Sequence, residues 1–334
     1  MTKRKMKVLA MSMAVALCLT ACGGDNSTSS EESTGSEITE STTETDETTK
    51  NEMATKFDFE PSIKESVVYD DNGIEITALN LEYENNNAIL NLKIQNTSEK
   101  ELSISSCTLG YSCNSVSGYM MDAGHMSEDI PAGESVETEM SFSTNELLLY
   151  GITKVANIDL GFTINDEDYN TIYTEPIRIS TSCADKYDYE TDTYQNTIES
   201  NPIVPAMGAN IEGFQVSDIY NEGGIQVISQ AILTNKDGEK TLLLELQNDT
   251  DEQLYFRVCN VRFNDEVMYE GTWSNESVNA KTRRIMRVSL DQLIEQSASA
   301  IQTDEIANIK ALVNVSDKNS NDRSMPTDIS ITLE

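Results

Sequence analysis

The sequence predicts an all-β protein made of two tandem antiparallel β-sandwiches, each with one short helix, behind a disordered N-terminal tether. The first observation is alternation of apolar and polar residues along segments such as 74–83, 89–95 and 102–109. Alternation with a period of two places one face of a strand in a core and the other in water. Polar turn segments separate these runs, and short strands at such spacing are typical of a sandwich or barrel.

The second observation is a long internal repeat. Residues 90–102 return at 242–254 with the same apolar positions and the same Gln-Asn pair. Cys107 aligns with Cys259, and the offset stays near 150 residues, far longer than the period of a solenoid. The chain therefore carries two copies of one domain of ordinary size.

The repeat sets the predicted domain boundaries. The first copy covers 57–180, a connector covers 181–205, and the second copy covers 206–334. Residues 22–56 are rich in Ser, Thr and Glu and almost free of apolar side chains. Such a segment cannot bury enough apolar surface to offset the conformational entropy lost on ordering, so we predict a disordered tether. We predict a signal peptide over 1–21, before this tether.

The sequence of each copy also predicts one short helix before the penultimate strand, at 144–152 in the first copy and at 289–297 in the second. Thr144 and Ser289 are the predicted N-caps, because hydroxyl side chains accept hydrogen bonds from the first free backbone amides of a helix. The leucines of both segments recur at helical spacing and are expected to face the sheet.

The N-terminus predicts export and lipidation. Four basic residues precede an apolar run, Val8–Leu19, which is too short to span a bilayer but has the length of a signal-peptide core. The run ends in Leu19-Thr-Ala-Cys22, which resembles the lipobox of bacterial lipoproteins. The resemblance implies a diacylglycerol thioether on Cys22, cleavage before it, and stable anchoring by two or more acyl chains. The alternative is an ordinary secretory signal with a chance cysteine.

Charge and histidine content limit the function. A formal net charge of −34 repels nucleic acid and anionic headgroups, so we expect neither as a partner. The single histidine, His125, lies in a polar loop where solvent exposure is the favoured interpretation, and any triad or dyad would need it. Motifs for a nucleophile elbow, a phosphate loop or a zinc protease are missing from the sequence. We therefore predict a non-enzyme without a cofactor.

Four cysteines follow Cys22, and they permit three full disulfide pairings: Cys107, Cys113, Cys183 and Cys259. Export makes a disulfide feasible, and the first two could close a small loop. The equivalent repeat positions of Cys107 and Cys259 instead favour a small buried residue in each core. The sequence does not decide whether Cys113 and Cys183 are free thiols or form a disulfide.

The order of motifs is shared by both copies. Each has an Asn-Gly-Ile or Gly-Gly-Ile turn, two long strands ending in Gln-Asn, a later turn, a short helix and Ala-Asn-Ile. This order resembles immunoglobulin-like domains of unknown function in surface lipoproteins of Clostridia-type bacteria. The second copy departs from it at Asn279-Ala-Lys, where the first has Pro131-Ala-Gly. The resemblance implies immunoglobulin-like sandwiches and a surface location, and it transfers no active site.

Two sets of residues are candidate sites. The first set has oxygen-bearing side chains at every second position, as in part of a calcium-binding loop: Asp166, Asp168 and Asn170. The glycine and the glutamate that follow in such a loop are replaced by other residues here. A hairpin turn is the favoured interpretation, with Ca²⁺ as the alternative. The second set comprises the aromatic residues Tyr187, Tyr189 and Trp273. The tyrosines could stack on a glycan, although packing between the copies is favoured, and the tryptophan either anchors a partner or fills the core.

These observations predict a lipid-anchored protein on the extracytoplasmic face of the cell membrane, most consistent with a Gram-positive surface. Its body is expected to act as a non-catalytic binding or adhesion module for a protein or glycan. The alternative is a structural accessory or spacer of an envelope complex without a ligand. An exposed apolar or aromatic patch would favour the binding module, and a featureless acidic surface would favour the spacer.

Overall fold

The computed structural model describes residues 57–107, 114–189, 194–195, 198–297, 300–323 and 327–333. The predicted signal peptide, Cys22 and the tether lie outside these residues. No helix of the described part is long and apolar enough to cross a membrane.

Strands are the main regular structure of the first copy. Its elements are β1 (Ser66–Asp71), β2 (Ile74–Glu84), β3 (Asn87–Asn96), β4 (Leu102–Ser106), β5 (Ser115–Val116), β6 (Tyr119–Met120), β7 (Met126–Ile130), β8 (Ser135–Ser143), α1 (Thr144–Leu149), β9 (Asn157–Leu160), β10 (Thr163–Asp166), β11 (Thr171–Tyr173) and β12 (Ile177–Ser180). The connector holds two 3₁₀ turns and the short helix α2 (Ile203–Ala206).

The second copy repeats this order with longer strands. Its elements are β13 (Asn210–Glu222), β14 (Ile225–Thr234), β15 (Lys240–Asn248), β16 (Leu254–Phe263), β17 (Glu266–Val267), β18 (Thr272–Val278), β19 (Thr282–Ser289), α3 (Leu290–Gln296), β20 (Asn308–Asp317) and β21 (Thr327–Thr332). By its position in the repeat, β20 corresponds to β9 and β10 of the first copy, where one strand is divided between two sheets.

In the first copy, the sheet β1-β2-β3-β8 packs against the sheet β11-β10-β4-β7. Strand β3 alternates half-buried and buried positions along its whole length, as its sequence predicts. Its inward residues Leu90, Leu92 and Ile94 are fully buried and share a core with Ile104 of β4 and Ile164 of β10. Alternation along one strand thus fills the space between two sheets.

In the second copy, β13-β14-β15-β19 has the same strand order as β1-β2-β3-β8. It packs against a sheet formed by β16, β17, β18, β20 and β21, and the core between them contains Leu244, Phe256 and Val313. The predicted fold class is confirmed: the protein is all-β, with two tandem immunoglobulin-like antiparallel sandwiches and one short helix in each.

Helices α1 and α3 follow equivalent strands and have equivalent caps. The side-chain oxygen of Ser143 accepts from the Glu146 amide at 3.4 Å, and that of Ser289 accepts from the Gln292 amide at 3.3 Å. Ser289 was therefore correctly predicted as an N-cap. Thr144 was not, because it is the first helical residue, and its hydroxyl donates to a backbone carbonyl of the β2–β3 turn.

Strand pairing continues from one copy into the other. One eight-stranded sheet runs β12-β9-β5-β6 and then β19-β15-β14-β13, and it is antiparallel except where β6 and β19 pair in parallel. At that joint Tyr119 lies opposite Arg283 and Met120 lies opposite Arg284. The boundaries 57–180, 181–205 and 206–334 remain a prediction, since backbone hydrogen bonds connect the two copies.

Arginines of β19 strengthen this joint with ion pairs to the first copy. Arg284 Nη2 lies 2.6 Å from Asp122 Oδ1, and its side chain is only 4% exposed. Arg287 Nη2 lies 3.1 Å from Glu146 Oε1 and donates to the Tyr150 hydroxyl at 3.0 Å. Arg284 is buried and Arg287 is exposed, and hydrogen-bonded arginines of this kind help to fix the register between two packed surfaces.

The repeated Gln-Asn pair has a structural role at the end of β3. Asn96 is fully buried. Its Nδ2 donates to the carbonyls of Lys100 and Ile130, at 2.7 and 2.9 Å. Its Oδ1 accepts from the amide and hydroxyl of Ser98, at 2.9 and 2.7 Å. One side chain therefore ties three neighbouring segments together.

Asn248 makes the same four hydrogen bonds in the second copy. Its Nδ2 donates to the carbonyls of Glu252 and Val278, at 2.8 and 2.9 Å. Its Oδ1 accepts from the amide and hydroxyl of Thr250, at 3.0 and 2.6 Å. The two copies thus share an atomic arrangement as well as a strand order.

We predict that Asn96→Ala and Asn248→Ala each lower the free energy of unfolding by about 2–4 kcal/mol, because each strips a buried carbonyl of its donor. Urea unfolding followed by circular dichroism measures the loss. The exposed Asn80 is the control, and Asn80→Ala should cost no more than about 0.5 kcal/mol. Equal losses in all three variants would contradict the proposed role of the buried asparagines.

Candidate binding site

The candidate calcium residues form the turn between β10 and β11. Asp166 Oδ1 accepts from the amides of Asp168 and Asn170, both at 2.9 Å, and its Oδ2 accepts from Asn170 Nδ2 at 2.8 Å. Lys100 Nζ lies 2.5 Å from Asp168 Oδ2 and 3.4 Å from Asp166 Oδ2. The Asn170 hydrogen bonds, followed by the nearby ammonium, lower the pKa of Asp166 to about 2.

One ammonium group therefore already pairs with both carboxylates that a calcium ion would need. Within the described residues, His, Cys, Asp and Glu side chains form no group of three or more able to hold a metal. The arrangement is that of an Asx-type turn, in which an aspartate satisfies the backbone amides of the residues that follow it.

The second copy builds the same turn after β20. Asp317 Oδ1 accepts from the amides of Asn319 and Asn321, at 2.8 and 2.9 Å, and its Oδ2 accepts from Asn321 Nδ2 at 2.9 Å. Here the cation is Arg323, whose Nη2 lies 3.1 Å from Asp317 Oδ2. Both copies thus contain the same turn motif, Asp-x-Asp/Asn-x-Asn.

The two turns differ in what they display at the tip. Tyr169 has φ 63°, and Ser320 at the equivalent position has φ 64°. This left-handed conformation is uncommon for a bulky residue. Tyr169 is nevertheless 91% exposed. Because serine forms the same turn in the second copy, the backbone does not require the tyrosine.

Two more exposed side chains follow on β11. Tyr173 is 60% exposed and Ile172 is 37% exposed, and the second copy has Arg323 where the first has Ile172. We call Tyr169, Ile172 and Tyr173 the tyrosine hairpin. Ile172 pairs with the buried Ile164 of β10 and Tyr173 pairs with Thr163, so the two side chains of β11 point to opposite faces of the sheet, and the exposed aromatic residues of the hairpin are Tyr169 and Tyr173.

A cleft of about 490 Å³ adjoins this hairpin. Val68, Tyr69, Asp71 and Asn72 line one side, and residues 173–178 line the other. Strand β1 is at the edge of one sheet and β12 is at the edge of another, so the cleft lies where the open sides of two sheets approach each other.

Arg178 is held in place at the cleft wall. Its Nε and Nη2 donate to the two carboxylate oxygens of Asp159, at 2.7 and 3.0 Å. Asp159 is buried and also accepts from Ser115 and from Asn157, both at 3.0 Å. Bidentate pairing fixes the guanidinium plane, and the Nη1 amino group lies outside the pair.

The aromatic residues singled out from the sequence fall in two places. Tyr187 and Tyr189 stack edge to face with ring centroids 4.8 Å apart, and the Tyr189 hydroxyl donates to Asn157 Oδ1 at 2.8 Å. They therefore lie near the network that holds Arg178. Trp273 lies on β18 of the second copy, half-buried against its core and 5.2 Å from the Tyr269 ring. Partner contact by any of them remains a prediction.

Among the described residues, His125 and the cysteines do not line the cleft. His125 is exposed in the loop before β7, as expected. Cys107 is buried, as the repeat predicts, whereas Cys259 is only half-buried because it occupies an outward position of the alternating strand β16. Cys183 and Cys259 are free thiols, and Cys113 lies outside the described residues.

No protein-family model matches the sequence, and neither does any curated protein. Among solved structures, the chain is similar to the crystal structure of red sea bream transglutaminase, at 8% identity and a TM-score of 0.19. The match covers 81% of this chain and 31% of the transglutaminase, so the chain spans about a third of that protein. A similarity this low carries no argument about activity.

Proposed function

We propose that this protein is an exported lipoprotein, anchored by a lipid on Cys22 to the extracytoplasmic face of the cell membrane, and that its body is a non-catalytic binding module. One observation carries the binding role. Two equivalent turns share one backbone geometry, and the turn of the first copy presents the exposed Tyr169, followed by the exposed Tyr173 at the wall of a cleft.

Physical chemistry supports an interaction surface at this position. Aromatic side chains dominate the energetics of interfaces, because they bury a large area at a small cost in side-chain entropy. An aromatic residue exposed on a turn that tolerates serine contributes little to folding. The proposed partner is a protein or glycan of the envelope or its surroundings, and the acidic body disfavours nucleic acid.

A second candidate, a structural spacer without a ligand, is favoured by the joint between the copies. The eight-stranded sheet and the arginine pairs of β19 connect the two sandwiches through hydrogen bonds and ion pairs. Such a joint suits a stiff element that holds other components apart. The two candidates differ in whether the tyrosine hairpin matters.

The double variant Tyr169→Ser, Tyr173→Ser tests the binding role. We expect it to fold normally, because Ser320 occupies the same turn conformation, and to bind isolated envelope fragments about tenfold more weakly than the mature chain, residues 22–334. Sedimentation of the chain with the fragments measures the binding. Val267→Ser, which replaces an exposed residue of the second copy, is the control. Equal binding of wild type and double variant would support the spacer instead.

A further inference from the structure

We infer that the cleft beside the tyrosine hairpin binds a neutral oligosaccharide. The inference rests on the proposed binding function and specifies its ligand. The volume of the cleft, about 490 Å³, falls within the range of small-ligand sites.

The wall chemistry fits a sugar. Tyr69 and Tyr173 line the cleft from its two sides, and aromatic rings are suited to the C–H face of a sugar ring. Asp71 and Glu175 supply acceptors, and Arg178 supplies donors, which together match hydroxyl groups that both give and accept hydrogen bonds.

Several of these groups are held in place before any ligand binds. Arg178 is fixed by the buried carboxylate of Asp159. The Tyr69 hydroxyl accepts from Asn72 Nδ2 at 2.7 Å, which ties the ring to the β1–β2 turn. Fixed side chains lose less conformational entropy when they bind, so weak individual contacts with hydroxyl groups add up.

Charge selects a neutral ligand over an acidic one. Asp71 and Glu175 line the cleft, and the positive charge of Arg178 is already paired with Asp159. The whole chain carries −34. The negative charges of the protein would repel a uronic acid or a phosphate-bearing glycan, whereas a neutral sugar is not repelled.

The edge strands argue against an added peptide strand as the ligand. Strand β1 has a bulge between Val67 and Tyr69 and ends in Asp70 and Asp71. Strand β12, the other edge beside the cleft, has only four residues. Bulges, charges and short length are the devices by which sheet edges resist pairing with another chain.

Calorimetric titration of the mature chain, residues 22–334, tests the inference. The probes are soluble tetrasaccharides of N-acetylglucosamine, glucose and mannose, with tetragalacturonic acid as the acidic comparison. We expect at least one neutral tetrasaccharide to bind and the acidic one not to bind. Preference for N-acetylglucosamine would point to a bacterial wall as the source, and preference for glucose or mannose to another surface.

Tyr173→Ala and Asp71→Asn should each weaken that binding by about tenfold or more, which corresponds to losing one well-placed contact. Tyr269→Ala, which removes an exposed tyrosine ring from the second copy, should leave it unchanged. Failure of every neutral sugar to bind, binding that survives the cleft variants, or binding of an extended peptide instead would each overturn the inference. If the hairpin still governs attachment to envelope fragments, the proposed function stands without it.

Discussion

Replacing Glu245 with alanine is expected to lower the free energy of unfolding by about 3 kcal/mol, because it removes a buried acceptor on which several donors converge. The Glu245 side chain on β15 is 0% exposed. It accepts from the hydroxyls of Tyr119 and Ser229, at 3.1 and 2.9 Å, and from the Gln195 side chain. Arg283 Nη1 lies 3.7 Å from its Oε1. First copy, connector and second copy therefore meet at one carboxyl group.

Lys93 provides a matched control for this prediction. It occupies the position of the first copy that corresponds to Glu245, and it is half-buried. Lys93→Ala should change the free energy of unfolding by no more than about 0.5 kcal/mol. Urea unfolding of both variants gives the comparison, and similar losses in both would contradict the role assigned to Glu245.

Glu245→Gln is expected to be far milder than Glu245→Ala and to change the pH dependence of stability. Burial raises the pKa of Glu245 above its ordinary value, although its hydrogen bonds and Arg283 act in the opposite direction. Between the ordinary and the raised pKa, the unfolded chain binds fewer protons than the folded protein. The free energy of unfolding therefore falls as pH rises through that window.

Glutamine keeps a hydrogen-bonding side chain and cannot ionise, so this fall should disappear in Glu245→Gln. Urea unfolding across a pH series that starts near the ordinary carboxyl pKa measures the difference between the two proteins. The same pH dependence in wild type and Glu245→Gln would show that another group causes it.

The fold was predictable because its information is local and repeated. Alternation along β3 identifies Leu90, Leu92 and Ile94 as core residues without reference to any other strand. The repeat then transfers the assignment to β15. Burial of Glu245 could not be predicted in this way. On the strand it is polar, and it becomes buried only because the two-residue strand β6 pairs with β19 and the connector covers that face.

The buried asparagines and the exposed Tyr169 were not predicted, for a different reason. Asn96 and Asn248 were visible as a repeated pair, but their polarity suggested a solvated turn. Recognising that the turn does not need Tyr169 requires an alignment of residues 165–170 with 316–321. In that alignment the turn-forming Asp and Asn recur, and tyrosine is replaced by serine. Comparison of the two copies residue by residue would have found both. Residues that recur in both turns are needed for the turn, whereas a residue that differs between them is not.

Cys22→Ala is expected to abolish lipidation and release the protein from the membrane. The Leu19-Thr-Ala-Cys22 motif places a single thiol at the end of the apolar run, and alanine has no nucleophile to form the thioether. Each buried CH₂ of an acyl chain contributes about 0.8 kcal/mol, so losing two chains removes nearly all membrane affinity. The acidic body cannot replace them, because its charge repels anionic headgroups.

Fatty-acid labelling and detergent partitioning measure this outcome, and Cys18→Ala is the matched control. Cys18 lies within the apolar run, four positions before Cys22, and would be removed with the signal peptide. Its replacement should leave both labelling and membrane retention at the wild-type level. A Cys22→Ala protein that still labels and partitions into detergent would show that Cys22 is not the residue that carries the lipid.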